Sequence, residues 1–294
     1  MKIINFGSIN IDHVYGVEHF VRPGETLNSG SYAIFSGGKG ANQSIALALA
    51  GAKVMHAGKL GVDGLWLRDK LQGYGVDTGL IEQVGLPTGH AVIQVNAEGE
   101  NAIIIHGGAN KSILDEDIEK VFTHFERGDY LLLQNEINAV DKILQSSKAR
   151  GINVVFNPAP MGNEVKDYPL ECVDIFIINE TEGKALTAED DPQKIVSKMQ
   201  SLYPKSKTIL TLGSRGVIYK ESNKNVQIEA IKVEAVDTTG AGDTFIGYFL
   251  AELMQGKEIE MCLHSAVKAS AISVTRRGAA DSIPMREEVE SLTL

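Results

Sequence analysis

The sequence predicts an α/β fold: a parallel sheet with helices on both sides, and a smaller sheet beside it. Three observations predict it. Short, continuous runs of β-forming residues recur along the chain, as strands buried on both faces require. Helical patterns lie between those runs, and two segments instead alternate apolar with polar residues.

The first run is Ile3-Ile4-Asn5-Phe6, ended by Gly7. Residues 12–35 break the rhythm, with alternation at Ser31-Tyr32-Ala33-Ile34-Phe35 and a turn signal at Pro23-Gly24. Ala41 to Ala50 is rich in Ala and Leu, and Asp63 to Leu71 has helical spacing. Residues 88–106 read as a hairpin: His90 to Val95, a turn at Glu98-Gly99-Glu100, then Ala102 to Ile105. Asp115 to Phe125 is again helical. Tyr130–Gln134 and Val154–Asn157 are strand runs, and Asn138 to Ala149 suits the crossover helix between them. Ile175–Asn179 and Thr208–Gly213 complete the runs. Beyond Thr238 the chain is mostly helical, at Thr244 to Met254, Cys262 to Val274 and Arg286 to Leu292. Residues 1–294 are expected to form a single α/β domain. Alternation implies strands with one wet face, so 12–35 and 88–106 are expected to form the small sheet, a candidate lid.

With 28 Lys plus Arg against 38 Asp plus Glu, the formal charge is −10. A nucleic-acid partner is therefore not expected, since phosphate backbones call for a basic face and the densest cluster is Arg276-Arg277. No apolar stretch approaches the ~18 residues of a membrane span, and the N-terminus lacks a signal peptide's apolar region. A cytoplasmic protein is expected. Cys172 and Cys262 make neither a disulfide scaffold nor a zinc site, and the seven histidines show no metal-ligand spacing. The absence of Gly-x-Ser-x-Gly and of His-Arg-Asp argues against a serine hydrolase and a protein kinase.

In open parallel sheets ligands bind beyond the carboxyl ends of the strands. The polar residues there are Gln134 and Glu136, Asn157, Asn179 with Glu182, and Gly213; each also suits a plain turn. The strongest local signal is Val236-Asp237-Thr238-Thr239-Gly240-Ala241-Gly242-Asp243-Thr244-Phe245. A loop of small residues opening a helix offers bare amides to an anion. Asp243 is then either a functional carboxylate or the helix cap, and the small residues before it favour the former. Ser36-Gly37-Gly38-Lys39-Gly40-Ala41-Asn42 is a second glycine-rich loop opening a helix. It matches neither a Walker A loop nor a dinucleotide fingerprint, and reads as a tight turn or as a backbone open to a polyol, with Asn42 facing hydroxyls. Asn10 and Asp12, two apart on an extended chain, share a side and suit neighbouring hydroxyls or a turn.

Together these segments resemble the ribokinase family of carbohydrate kinases (PfkB-type) over essentially the whole length. The resemblance is carried by Gly7-Ser8-Ile9-Asn10-Ile11-Asp12, Gly37-Gly38-Lys39-Gly40-Ala41-Asn42-Gln43, Asn157-Pro158-Ala159-Pro160, Asn179-Glu180-Thr181-Glu182, Thr211-Leu212-Gly213-Ser214-Arg215-Gly216, Asp237-Thr238-Thr239-Gly240-Ala241-Gly242-Asp243 and Val274-Thr275-Arg276-Arg277-Gly278-Ala279. It implies a three-layer sandwich with a β lid, and transfer of the ATP γ-phosphate to the primary hydroxyl of ribose. By that resemblance Asp243 is the general base and Gly240, Ala241 and Gly242 form the anion hole. Asn10, Asp12, Gly38, Lys39, Gly40, Ala41, Asn42 and Glu136 would hold the sugar. Asn179, Thr211, Leu212, Gly213, Ser214, Arg215, Gly216 and Gly242 would meet the nucleotide, with Val267 as an apolar adenine contact. Glu182 would hold Mg²⁺ through water, and Asp237, Thr239, Ser273, Arg276, Gly278 and Ser282 would surround K⁺, several through backbone carbonyls. A homodimer paired through the lid is implied as well. The alternatives are a kinase of deoxyribose, a nucleoside or another sugar, and a catalytically silent sugar-binding protein.

Overall fold

The computed structural model describes residues 1–292. From the N-terminus, β1 (Ile3–Phe6), β2 (Asn10–Gly16) and β3 (Ser31–Gly37) precede helix α1 (Lys39–Leu49). β4 (Val54–Leu60), α2 (Leu65–Gly73) and β5 (Asp77–Gln83) follow, then the hairpin of β6 (Gly89–Val95) and β7 (Asn101–His106). The alternation continues with α3 (Asp115–Phe122), β8 (Tyr130–Gln134), α4 (Val140–Arg150), β9 (Asn153–Asn157), β10 (Ile175–Asn179), α5 (Glu180–Thr187), α6 (Pro192–Leu202) and β11 (Lys207–Thr211). β12 (Val217–Glu221), β13 (Lys224–Ile228), α7 (Ala241–Met254), α8 (Ile259–Ser273) and α9 (Arg286–Ser291) complete the chain.

The large sheet has nine strands in the order β13-β12-β11-β10-β9-β8-β1-β4-β5. All neighbours from β5 to β11 run parallel; β12 and β13 are antiparallel additions at one edge. The continuous apolar runs are explained by two cores, one on each face. In β10, Ile175 and Ile177 enter the core beneath α1, α7 and α8, while Phe176 and Ile178 enter the one beneath α3, α4 and α6. Successive side chains point to opposite faces, so a strand covered on both sides needs an apolar residue at every position.

The small sheet has the order β3-β2-β6-β7. β2 leaves β1 after a three-residue link and β3 runs into α1 through Gly38, so this sheet stands directly over the carboxyl edge of β1. Tyr32, Ile34, Phe35, Ile103, Ile104 and Ile105 are exposed on it.

Two helices start earlier than their apolar pattern suggests. α7 begins at Ala241 because Gly240, in the left-handed region at φ 75°, is its cap. α1 begins at Lys39 after Gly38 at φ 93°. β4 escapes prediction because it buries two polar residues, His56 and Lys59. His56 is matched by Ser44, whose Oγ lies 2.8 Å from its Nδ1. Burial pushes the imidazole down to about 4, against a hydrogen bond with Gly7, so it is neutral near pH 7. Lys59 is paired with Asp117 on α3 at 2.6 Å.

Candidate functional site

The carboxyl ends of β1, β8, β9, β10 and β11 lie side by side, as the registers Phe6↔Leu133, Gln134↔Asn157 and Asn179↔Thr211 require. Helix α1 crosses this edge. Its N-terminus packs so tightly on the β1–β2 link that a Cβ at Gly40 would lie 2.4 Å from the Ser8 nitrogen. The amide of Lys39 donates to Glu136 Oε2 at 2.9 Å, and the Ser8 hydroxyl bonds to the same oxygen. Asn10, at the start of β2, accepts from Asn110 Nδ2 at 2.7 Å. Asp12, one β-repeat further, carries its carboxyl over Gly37, where a Cβ would lie only 2.1 Å away.

Asp243 meets this arrangement from the opposite side, on the first turn of α7. It is not the cap of its helix: Gly240 is, with no side-chain cap bond. Its oxygens accept instead from α1, Oδ2 from Asn42 Nδ2 at 3.1 Å and Oδ1 from Gln43 Nε2 at 2.8 Å. The first turn of any helix leaves amides without intrahelical partners, and here those belong to Ala241, Gly242 and Asp243. Asn42 has a further feature: its Oδ1 is buried with no partner among the described residues. A buried, unpartnered acceptor beside a carboxylate is an unmet demand for a donor, such as a ligand hydroxyl.

Charge couples the two halves. The negative charge of Asp243 is the main influence raising Lys39 above its ordinary range; burial opposes it, and Glu136 and Glu182 add to it. Burial raises Glu182, with the charge of Asp243 adding, against hydrogen bonds from Asn179 and the charge of Lys39. Asp12 is pushed up to about 7, first by burial and then by the charge of Glu136. Asn10, Asp12, Gly38, Lys39, Gly40, Ala41, Asn42, Glu136 and Asp243 thus form one linked polar surface.

Glu182 has a local role that its sequence position concealed. It closes a capping box on α5, accepting from the Asn179 amide at 3.0 Å and from Asn179 Nδ2 at 2.9 Å. Its charge still faces Lys39 and Asp243. Thr211 stands opposite Asn179, and its loop continues through Leu212 to Gly216 with Gly213 at φ 57° and Gly216 at φ 99°. Arg215 in this loop pairs with Glu180, and Ser214 sits between it and Gly213. Gly216 lies so close to residues 228–230 that a Cβ would meet the Ile228 oxygen at 2.0 Å. Those residues, with Gln227, Ile231, His264 and Val267, line a cleft of about 450 Å³. Val267 lines this cleft directly, and Gly216 packs against the 228–230 segment that forms part of its wall.

A third group clusters behind Gly240. Asp237 accepts from the amides of Thr239 and Gly278, both at 2.9 Å. Burial pushes its carboxyl up, but these bonds and the charge of Arg277 outweigh that and hold it below its usual range. The Val236 amide bonds to Val274 O at 2.7 Å, which ties the loop to the end of α8. Ser273 and Ser282 bond to backbone carbonyls nearby. The Arg276 side chain is engaged by Glu288 on α9, so only its backbone is available here. No group of three or more His, Cys, Asp or Glu side chains suited to a metal exists among the described residues. No helix among them is long and apolar enough to cross a membrane.

Two residues of the arrangement were not visible in the sequence. Asn110 fastens the β1–β2 link, accepting from the Ile9 amide at 3.0 Å and donating to Asn10. A Gly-Gly-Ala-Asn run at 107–110, after the predicted hairpin, was its only signal. Gln43 gave none beyond its place after Asn42.

Residues 1–286 match the model of the pfkB family of carbohydrate kinases. The chain is 38% identical over 291 residues to the ribokinase of Haemophilus influenzae, covering 96% of this chain and 95% of that protein. It is 35% identical over 299 residues to the deoxyribokinase of Salmonella typhi, covering 98% and 97%. A solved structure of the Arabidopsis thaliana ribokinase complexed with ribose and ATP superposes with a TM-score of 0.86, at 32% identity and with 98% and 97% of the two chains covered.

Proposed function

The chain belongs to the pfkB family of carbohydrate kinases, and from that premise we propose that it transfers the γ-phosphate of ATP to the primary hydroxyl of D-ribose, giving D-ribose 5-phosphate and ADP. The observation that carries this is the convergence on Asp243. One helix, α1, carries Lys39 and, through Asn42 and Gln43, hydrogen-bonds both oxygens of a carboxylate seated in the first turn of α7. Asn10 and Asp12 on β2 supply acceptors for neighbouring ring hydroxyls, and the unmet Oδ1 of Asn42 supplies another.

In this reaction Asp243 takes the proton from the attacking hydroxyl, and the amides of Gly240, Ala241 and Gly242 receive the negative charge of the transferring phosphoryl group. Lys39 lies between Asp243, Glu136 and Glu182, so its ammonium balances charge as the group moves. The nucleotide occupies the cleft lined by residues 227–231, His264 and Val267, against which the Gly213–Gly216 loop packs at Gly216. Mg²⁺ would be held chiefly by the nucleotide phosphates, with Glu182 acting through water, because Asn179 already occupies both its oxygens. When bound, Mg²⁺ neutralises phosphate charge. Asp237 and the carbonyls of the loops at 237–239 and 273–282 offer hard oxygens suited to K⁺ behind the anion hole. The small sheet acts as the lid that excludes water, which would otherwise compete as acceptor. Its exposed Tyr32, Ile34 and Ile103–Ile105 support pairing of two copies through the same sheet.

A coupled ADP-release assay with Mg²⁺ and K⁺ tests the acceptor. Ribose is expected to give the highest kcat/KM among ribose, deoxyribose, fructose and adenosine. Buried acceptors left unpaired by a missing hydroxyl penalise deoxyribose. Deoxyribose outperforming ribose would move the chain to the substrate of its Salmonella relative.

Asp12 gives a second expectation, with a sign that depends on pH. Its carboxyl lies above its ordinary 3.8 at about 7, so the folded state binds the extra proton between those values. Stability from this group is full below pH 3.8 and falls as pH rises toward 7. Asp12→Asn therefore raises stability at pH 8 by about 1 kcal/mol, discounted for partial exposure to solvent, and changes little near pH 4. It weakens ribose binding about tenfold or more, because a charged acceptor is lost. Thermal melts at both pH values and KM for ribose check this; an unchanged KM removes Asp12 from the sugar site.

A further inference from the structure

Gln43 is fully buried, polar, and placed between the sheet and the carboxylate of Asp243. Its Nε2 donates to Asp243 Oδ1 at 2.8 Å and to Asn157 Oδ1 at 3.3 Å. Its Oε1 accepts from Gln134 Nε2 at 2.6 Å. A primary amide can point either way, so its direction needs a cause. The cause lies in the sheet. Asn157, at the end of β9, donates Nδ2 to the Ile177 carbonyl of β10 at 2.9 Å, which leaves its Oδ1 facing Gln43. Gln134, at the end of β8, presents its Nε2 to Gln43 and also to Asn5 Oδ1 at 3.0 Å. An acceptor on one side and a donor on the other admit only one orientation of the Gln43 amide: nitrogen toward Asp243. Asn5 extends the chain to Gly40 O at 2.7 Å and to Ser44 at 2.8 Å, both on α1.

We propose that Gln43 is a positioning residue for the phosphoryl-transfer step. It pins Asp243 Oδ1 and so commits the other oxygen, Oδ2, to the sugar hydroxyl. Among the described residues Oδ2 is held only by Asn42, at the longer distance of 3.1 Å, and so is free to exchange that bond for a substrate proton. The carboxylate plane is thereby set by the ends of β8 and β9 through one buried amide, before substrate arrives. This inference rests on Asp243 acting as the base.

Two substitutions test it. Gln43→Met keeps the length and removes both hydrogen-bonding ends. It is expected to lower kcat about 10- to 100-fold, as misorientation of a reacting group does, with KM for ribose and ATP changed less than about threefold. Gln43→Glu keeps size and shape but sets a second carboxyl against Asp243 Oδ1. Protonated, the new carboxyl still donates; ionised, it repels. The charged groups facing Asp243 are Lys39 from α1 and Glu182 from α5, while Asn42 and Asn157 are neutral. The ratio of Gln43→Glu kcat to wild-type kcat is therefore expected to fall steadily from pH 6 to pH 8.5. A role limited to packing would move kcat and KM together in the first variant and leave that ratio flat in the second. Either result overturns the inference. Should Gln43→Met fail to fold, the Gln43→Glu profile decides alone. Asp243→Asn measured beside them separates the two levels. If it retains near-normal kcat, Asp243 is no base and the inference goes with it. If it is inactive while both Gln43 variants match wild type, only the role of Gln43 is lost.

Discussion

Asp243→Asn lowers kcat by roughly 10³-fold, the range that removal of a positioned general base commands. Asn has the same shape, so the oxygen facing Gln43 Nε2 is kept and the fold is not disturbed. What disappears is the site that receives the proton, and the amide that replaces Oδ2 turns a donor toward the Asn42 amide. In the proposed site ATP binds apart from the Asp243 carboxylate, so its affinity is expected to stay within about threefold. Steady-state rates by ADP release, with ATP binding by calorimetry, check both halves. A kcat within tenfold of wild type would take Asp243 out of the base role.

The largest expected effect on stability lies away from the site. Lys59 on β4 is 5% exposed and Asp117 on α3 is 11% exposed, with 2.6 Å between them. The surroundings are Phe6, Leu80, Ile113 and Val121, with the exposed pair of Glu82 and Lys120 beside them. Lys59 also donates to Ser112 O at 3.2 Å, and Asp117 accepts from the Leu114 amide at 2.6 Å as it caps α3. Lys59→Ala leaves a largely buried carboxylate without its partner, and breaking such a pair costs about 3–5 kcal/mol. The midpoint of thermal unfolding is expected to fall by roughly 10 °C. The double variant Lys59→Met with Asp117→Leu restores most of the loss, because two apolar side chains no longer need each other's charge. Denaturant titration of the singles and the double measures the coupling; a loss under 1 kcal/mol in Lys59→Ala would show that water reaches the pair.

What the sequence disclosed follows from burial. β1, β8, β9, β10 and β11 are covered on both faces, so they appear as mainly apolar runs, and the polar last residues of β8, β9, β10 and β11 mark the edge proposed to bind ligands. The hairpin of β6 and β7 and the strand β3 were also legible from their β-forming residues and turn signals, although the consecutive exposed Ile103, Ile104 and Ile105 of β7 keep no two-residue period. β4 was not, since an ion pair and a matched histidine stand where apolar residues were expected. In β12 the buried run is only Val217, Ile218 and Tyr219, and the edge strand β13 is mostly exposed, so neither stood out. Within the site, the loop at 237–243 was readable because small residues before a helix are costly without a purpose. Glu182 was read as a ligand side chain and is first a capping partner of Asn179. Gln43 and Asn110 were opaque, because their partners lie a hundred or more residues away and only the folded registers bring them together.

From Asp243 to Glu252 every residue of α7 is buried. The carboxylate and the amides beside it are thus rooted in chain that tolerates few replacements, whereas β2 beyond Ile11 is partly open to solvent. On the proposed reading, divergence can rewrite the strand that meets the acceptor without touching the helix that meets the phosphate. Selection for a new acceptor would then accumulate changes in β2, β6 and the 107–111 turn, and a library confined to those segments should alter preference among pentoses while turnover chemistry persists.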